Sequence, residues 1–324
     1  MKRWLPFIRA APGSVVQGRT PAAPARVVPP STDVSTPGRP KGSYRSAEHE
    51  GTPMSAVLLA WLFDCEPAPG DTPPTSAETI AVRHLDTLNA AGALPAALLS
   101  RAPAVIPQLL HLLRQDDASL FAMAQRVSAD PVLTAEVLRL SRSAFYRTRT
   151  EPADIAHAIA MLGRDGLHIA IAAVVLKPLF DAPSGSLSRH AAARLWEHST
   201  AKASLCAAGA AERGGDRFEG YLAGLLHNTG WTMLLRALDS CTGVTPPFSA
   251  SIARQLGRRK DAFFAKAVGA WRITPTLTAL CDEVRQVGLR ATGSLLASAL
   301  WHADRDATLQ FLAPRASDKD APIS

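Results

Sequence analysis

The sequence predicts an all-α protein, a multi-helix bundle in two subregions that follows a disordered N-terminal tail. Hydrophobic residues make up 47% of the 324 residues but aromatic residues only 6%, and the abundant Ala and Leu favour helix over strand. From Met54 onward, apolar residues recur at helical spacing between capping residues. Residues 1–53 instead hold nine of the 25 prolines and show no helical periodicity. They cannot bury enough apolar surface to offset the entropy lost on ordering.

The positive charge is concentrated in this tail. Residues 1–53 carry eight Lys or Arg against three Asp or Glu, so they hold +5 of the net +7. A basic tail on a nearly neutral body is a weak signal for nucleic acid, so a nucleic-acid partner is not expected. The tail is either solvated or an electrostatic anchor through Lys2, Arg3 and Arg9. The clean start MSAVLLAWLFD leaves open a translation start at Met54.

Cysteine usage and hydropathy predict a cytoplasmic protein. The four cysteines are far apart and form no CxxC pair, which argues against a zinc knuckle or a disulfide framework and fits a reducing compartment. Because uninterrupted apolar runs stay short of 18 residues, we expect no membrane span. The start MKRWLPFIRAAPGS lacks the apolar core of a secretory signal.

An N-terminal helical extension is predicted over residues 54–100. A short apolar helix covers Ser55 to Phe63. Thr75 and Glu78 then form a capping box for an amphipathic helix through about residue 91. The spacing of Ile80, Leu85, Leu88 and Leu94 indicates its apolar face.

The body is predicted to run from 101 to 313, with a frayed tail over 314–324. Asp117 or Ser119 and then Asp130, followed by Pro131, are candidate N-caps. Gly163 is expected to end one helix, and another begins near Asp165.

Two histidines mark the candidate site. His198 lies in LWEHS and His227 in YLAGLLHNTGW. A helix that ends in Leu-Leu-His-Asp-x-Gly can aim an imidazole and a carboxylate into one cavity, where an upstream histidine and a later aspartate complete a divalent-metal site. Here the carboxylate position is Asn228, whose neutral amide is a weaker ligand and no general base. Alternatively, both histidines are core residues satisfied by hydrogen bonds.

The order of these motifs resembles the HDOD family, the output-type relatives of HD-domain phosphohydrolases. The resemblance runs from about Ala102 to at least Ala279 and rests on DASLFAMAQRVSADPVLTAEVLRLSRSAFY, on the apolar pattern around Gly163, and on LWEHS and YLAGLLHNTG. It implies an all-helical fold in two subregions, the second derived from a metal-binding bundle. It also implies a mostly non-catalytic signalling role in bacteria.

Within this resemblance, the vestigial site positions are His198, His227, Asn228 and Asp304. Asp304 aligns with the aspartate that closes the metal site of catalytic relatives. Trp231 stands where those relatives commonly place a phosphate-binding Lys. We expect no bound metal and no cofactor. Candidate contacts to a ligand or partner are Arg142, Glu197 and Trp231, although Arg142 also fits a solvent-exposed position and Trp231 a core position.

The sequence therefore predicts a non-catalytic signal-transduction or regulatory module that binds a partner protein or a small ligand. The alternative is a metal-dependent HD-type phosphohydrolase that acts on nucleotides or cyclic dinucleotides. The oligomeric state is left open.

Overall fold

The computed structural model describes residues 53–70, 72–113, 127–142, 152, 154–181 and 184–312. These residues form eleven α-helices and contain no strand, which confirms the all-α prediction. Residues 1–52 of the predicted disordered tail, the candidate caps Asp117 and Ser119, and the predicted C-terminal tail lie outside the described residues.

The helices follow one another with short connections. Their bounds are α1 Met54–Leu62, α2 Ser76–Ala90, α3 Ala102–Leu113, α4 Pro131–Ser141, α5 Ile155–Leu176, α6 Ser186–Glu212, α7 Arg217–His227, α8 Thr229–Asp239, α9 Ala250–Trp271, α10 Pro275–Val287 and α11 Leu295–Leu312. Three short 3-10 turns lie at Ala96–Leu99, Lys177–Leu179 and Leu289–Ala291.

The extension contains the two predicted helices, α1 and α2. The predicted capping box is present: Thr75 Oγ1 accepts from Glu78 N at 3.1 Å, and Glu78 Oε2 accepts from Thr75 N at 2.9 Å. Leu85 is buried as predicted, but Ile80 is 56% exposed, so its assignment to the apolar face was wrong. The helix buries Ala81 and Leu85, which lie one turn apart. Ile80 directly precedes Ala81, so its side chain is rotated about 100° away from the buried face.

The first subregion contains α3, α4 and α5, with α5 packed against both other helices. Asp130 caps α4 by accepting hydrogen bonds from Val132 N and Leu133 N at 2.8 and 3.2 Å. Gly163 has φ 65° and ψ −166°, so it breaks the helical path inside α5. The predicted helix end and restart at this glycine therefore occur as a kink.

The segment Ile155–Leu179 is long and apolar enough to cross a membrane by length and composition. Half of its apolar window is buried inside the fold. Since core helices of globular domains pass the same test, it is weak evidence for a span.

The second subregion is built around α6, the longest helix. Helix α6 packs against α7, α8 and α11, and α9 packs against α8 and α10. These helices place the polar residues of the candidate site in the middle of the bundle.

Candidate functional site

The four site positions named from the sequence meet in one cluster. His198, His227 and Asn228 are completely buried, and Asp304 lies beside them. Four residues that were not among the predicted site residues complete the group. We call the eight residues together the polar cluster: His198, Lys202, His227, Asn228, Lys260, Asp261, Asp304 and Thr308.

Helical spacing explains which side chains reach the cluster. His198 and Lys202 lie one turn apart on α6, and Asp304 and Thr308 lie one turn apart on α11, so each pair shares a helix face. His227 is the last residue of α7 and Asn228 joins α7 to α8. Lys260 and Asp261 come from α9.

Gly230 allows α9 to approach this junction. A Cβ atom at Gly230 would lie 2.1 Å from the backbone oxygen of Lys260. Only a residue without a side chain fits there. The glycine of the His-Asn-x-Gly turn therefore brings Lys260 and Asp261 to the cluster.

The ammonium group of Lys202 lies at the centre. It donates to Asp304 Oδ1 at 2.8 Å, to His227 Nδ1 at 2.9 Å, and to Asn228 Oδ1. A protonated lysine has three N–H donors. Each donor of Lys202 has its own acceptor, although the side chain is 0% exposed.

These contacts assign the proton positions on both histidines. Because His227 Nδ1 accepts from Lys202, its proton lies on Nε2, which donates to Asp261 Oδ1 at 2.8 Å. Asn228 turns its oxygen to Lys202 and donates from Nδ2 to His198 Nδ1 at 2.9 Å. In this network both rings carry a proton on Nε2 and accept at Nδ1.

The chain of donors continues to α11. His198 Nε2 donates to Thr308 Oγ1 at 3.0 Å, and that hydroxyl donates to the backbone oxygen of Asp304 at 2.8 Å. The neutral amide of Asn228 is thus matched to a cation on one side and to an imidazole acceptor on the other. A carboxylate at this position would have no proton to donate to His198.

The charges in the cluster balance. Burial lowers the pKa of Lys202 to about 8, against the opposing effect of Asp304, so the side chain remains charged at neutral pH. For Asp304, burial disfavours the anion, but Lys202 and Lys260 outweigh it and hold the pKa well below its usual value. For Lys260, burial is likewise outweighed by Asp261 and Asp304, which raise its pKa. Two ammonium groups therefore face two carboxylates.

His198 is held neutral by its surroundings. Burial, assisted by the charge of Lys202, lowers its pKa to about 3. The imidazole therefore acts as an acceptor and donor within the network and carries no charge at neutral pH.

The two ends of the polar cluster differ in access to water. At the His198 end, the ring centroids of Trp61 and Phe311 lie 6.3 and 5.8 Å from that of the imidazole. At the other end, the side chains of Asp261 and Asp304 are 25% and 20% exposed. The cluster is dry beside His198 and reaches solvent beside Asp261.

The likeness to HD-type phosphohydrolases implies a divalent metal among these ligands, and the residues do not fit one. The acceptors that would face the metal, on His227, Asn228 and Asp304, all converge on the Lys202 ammonium. A dication there would have to displace a buried charge of the same sign. The amide of Asn228 also offers less compensation than a carboxylate.

The other three predicted contacts lie apart from this network. Arg142 is exposed at the end of α4, and Glu197 is exposed on α6. The ring nitrogens of His198 contact Asn228 and Thr308 rather than the neighbouring Glu197. Trp231 is 0% exposed, so it lies in the core and offers no surface contact.

Sequence reasoning missed Thr308, Asp261 and the two lysines. Lys202 had a usable signal, because it follows His198 by four residues on a helix and so shares its face. Lys260 and Asp261 lie in a charged segment of α9, RRKDAFF, where spacing alone does not separate them from a solvated helix face.

Comparison with known proteins agrees with this architecture. The sequence model of the HDOD domain matches residues 99–279, more than half of the chain. The chain belongs to the HDOD domain family. Helices α1, α2 and α11 of this HDOD protein lie outside the matched residues.

Solved structures of two other proteins resemble the chain. An HDOD domain protein of unknown function from Geobacter sulfurreducens is 21% identical, with a TM-score of 0.48, over 75% of this chain and 83% of its own. A candidate metal-dependent phosphohydrolase from Shewanella amazonensis SB2B is 18% identical, with a TM-score of 0.54, over 75% of this chain and 86% of its own. The second structure, whose TM-score is above 0.5, supports the all-helical fold, and an identity of 18% shows nothing about activity. No curated protein sequence matches the chain.

Proposed function

We propose that this HDOD protein is a non-catalytic signal-transduction or regulatory module that acts in the cytoplasm by binding a partner protein or a small ligand. One observation carries the proposal. The buried ammonium of Lys202 takes the place between His227, Asn228 and Asp304 that a catalytic dication would need.

An ammonium group cannot replace a metal ion in phosphoester hydrolysis. A metal lowers the pKa of a bound water and polarises a phosphoryl oxygen through open coordination positions. The ammonium of Lys202 has no empty orbital that could accept a lone pair from water or phosphate. Its three N–H groups already donate to three protein atoms. It supplies charge balance to Asp304 without activating a nucleophile.

Asn228 supports the same conclusion. An amide cannot accept a proton as a general base at neutral pH. Its two polar atoms are also both committed, the oxygen to Lys202 and the nitrogen to His198. The turn is therefore suited to connecting α7 and α8 with α6 rather than to proton transfer.

Metal content and turnover test the proposal together. Purified protein incubated with Mn²⁺ or Mg²⁺ is expected to retain no stoichiometric metal and to hydrolyse none of a panel of nucleotides and cyclic dinucleotides. The matched variant Lys202→Ala/Asn228→Asp removes the competing cation and adds a carboxylate, so it is expected to bind Mn²⁺ more tightly than the wild type.

The alternative, a metal-dependent phosphohydrolase, predicts the opposite. Turnover that disappears in both His198→Ala and His227→Ala would establish the phosphohydrolase. The control is His302→Ala, a change at an exposed histidine of α11, in which turnover should persist. For the small-ligand form of the proposal, we expect a nucleotide or cyclic dinucleotide to raise Tm without added metal, since a ligand that binds the folded state stabilises it. If no member of the panel raises Tm, binding of a partner protein is the remaining version of the proposal.

A further inference from the structure

Helix α1 lies across the same three helices that carry most of the polar cluster. It contacts α6, which bears His198 and Lys202, α9, which bears Lys260 and Asp261, and α11, which bears Asp304 and Thr308. Six of its nine residues are buried in this position: Ala56, Leu58, Leu59, Ala60, Trp61 and Leu62. The groove between α6, α9 and α11 is thus filled by an apolar helix.

The C-terminal end of α1 closes the His198 side of the cluster. The ring of Trp61 packs on Phe311 with centroids 4.7 Å apart and lies 6.3 Å from the imidazole of His198. Trp61 is 8% exposed and His198 is 0% exposed. Trp61 and Phe311 together cover the imidazole, and removal of α1 would take away the Trp61 part of this cover.

A buried arginine of α6 holds this end in place. Arg194 Nη1 donates to the backbone oxygens of Trp61 and Leu62 at 2.6 and 3.3 Å, and Nη2 donates to Asp64 Oδ2 at 2.6 Å. These carbonyls lie at the end of a helix, where they lack intrahelical donors. A charged donor from the groove satisfies them, which ties α1 to the surface beneath it.

Gly257 of α9 allows the N-terminal end of α1 to pack closely against α9. A Cβ atom at Gly257 of α9 would lie 2.7 Å from both Cβ and Oγ of Ser55. The close approach of α1 and α9 therefore depends on the absence of a side chain at Gly257. This contact offers a way to loosen α1 without touching any residue of the polar cluster.

We propose that the groove between α6, α9 and α11 is a helix-binding surface, that α1 is its intrachain ligand, and that docking of α1 controls access to His198. The helix lies before the residues matched to the HDOD domain, whereas most of the groove lies within them. The inference does not rest on the proposed function, because α1 limits access to the cluster whether or not the cluster is catalytic.

The test measures the accessibility of His198 to diethyl pyrocarbonate, which modifies neutral imidazoles, with mass spectrometry to locate the product. In the full chain, His198 is expected to react far more slowly than the exposed His302. Gly257→Ala is expected to speed modification of His198 by about tenfold or more, because the added Cβ displaces Ser55. His227, packed against Phe264 with centroids 5.1 Å apart, is expected to stay protected.

A compensating variant separates undocking from general unfolding. Ser55→Gly removes both atoms that the new Cβ would meet, so Ser55→Gly/Gly257→Ala is expected to restore protection of His198. Arg194→Met, which removes the donors to the end of α1, is expected to expose His198 as well.

A peptide of residues 53–64, added to the Gly257→Ala protein, tests the groove as a helix-binding surface. The peptide is expected to restore protection of His198, and the same peptide with Trp61→Ala is expected to do so less well. Unchanged protection in both Gly257→Ala and Arg194→Met would overturn the proposal. Equal exposure of His198 and His227, or no effect of the peptide, would also overturn it.

Discussion

Lys202 Nζ lies 2.8 Å from Asp304 Oδ1, and the two residues are 102 positions apart in the chain. The second oxygen of the same carboxylate accepts from Lys260 at 2.6 Å. Asp304 therefore connects α6, α9 and α11 through two cations. The same contacts give the bundle a charge-balanced centre with the Lys202 ammonium in its middle.

Removal of the central cation should destabilise the fold. Lys202→Met leaves the acceptors of His227 and Asn228 without their donor, and breaking a buried ion pair costs about 3–5 kcal/mol. We expect the free energy of unfolding, measured in urea, to fall by about 3 kcal/mol, toward the lower end because Asp304 keeps Lys260.

Two controls accompany this change. Lys177→Met, at an exposed position, is expected to alter stability by less than about 0.5 kcal/mol. The double variant Lys202→Met/Asp304→Asn is expected to lose less than the sum of its single changes, since both remove the same ion pair. Additive losses of unfolding free energy would mean that Lys202 and Asp304 have no interaction energy with each other.

A carboxylate at position 228 should change the protonation of His198. In the native chain the amide nitrogen of Asn228 donates to His198 Nδ1. In Asn228→Asp that acceptor faces an anion, which favours a proton on both ring nitrogens. We expect the pKa of His198, about 3 in the native protein, to rise, as measured by NMR titration of the ring protons. Asn228→Ala removes the donor without adding charge, so it should leave this pKa low; equal shifts in the two variants would contradict the assigned network.

His198 should also make stability depend on pH in the acid range. Its pKa is 6.5 in the absence of perturbation and about 3 in the fold, so between these values the unfolded chain binds more protons. The free energy of unfolding is therefore expected to fall as the pH falls from 6.5 to 3, with this residue contributing at most about 1.4 kcal/mol per pH unit. Urea titrations at pH 7, 5.5 and 4.5 measure the slope. His198→Gln should have a shallower slope, and identical slopes would count against the assigned burial of a neutral imidazole.

A side chain at Gly230 should disrupt the junction between α8 and α9. In Gly230→Ala the new Cβ would meet the backbone oxygen of Lys260 at 2.1 Å, and a backbone atom cannot rotate away. We expect a loss of about 1–3 kcal/mol in unfolding free energy, with Lys260 and Asp261 moved from the cluster. Gly70→Ala has nothing within 4 Å of the new atom and is the matched control. A Gly230→Ala protein as stable as this control would show that α9 adjusts freely.

The fold could be predicted from the sequence largely because its local signals are strong. The capping box of Thr75 and Glu78, the cap at Asp130 and the break at Gly163 each depend on residues within a few positions of one another. Ile80 shows the limit of this reasoning. The periodicity places an apolar stripe on α2, but the partner helices decide which edge of the stripe is buried.

The sequence by itself determined the helical class, the family and the four positions His198, His227, Asn228 and Asp304. Only the tertiary structure showed that Lys202 lies between these residues. It also showed that Lys260 and Asp261 of α9 and Thr308 of α11 join them. A buried ammonium is stable only if several acceptors from distant segments converge on it. Helical spacing places Lys202 on the same face as His198, but it does not show which acceptors converge on the ammonium, because that depends on how the helices pack.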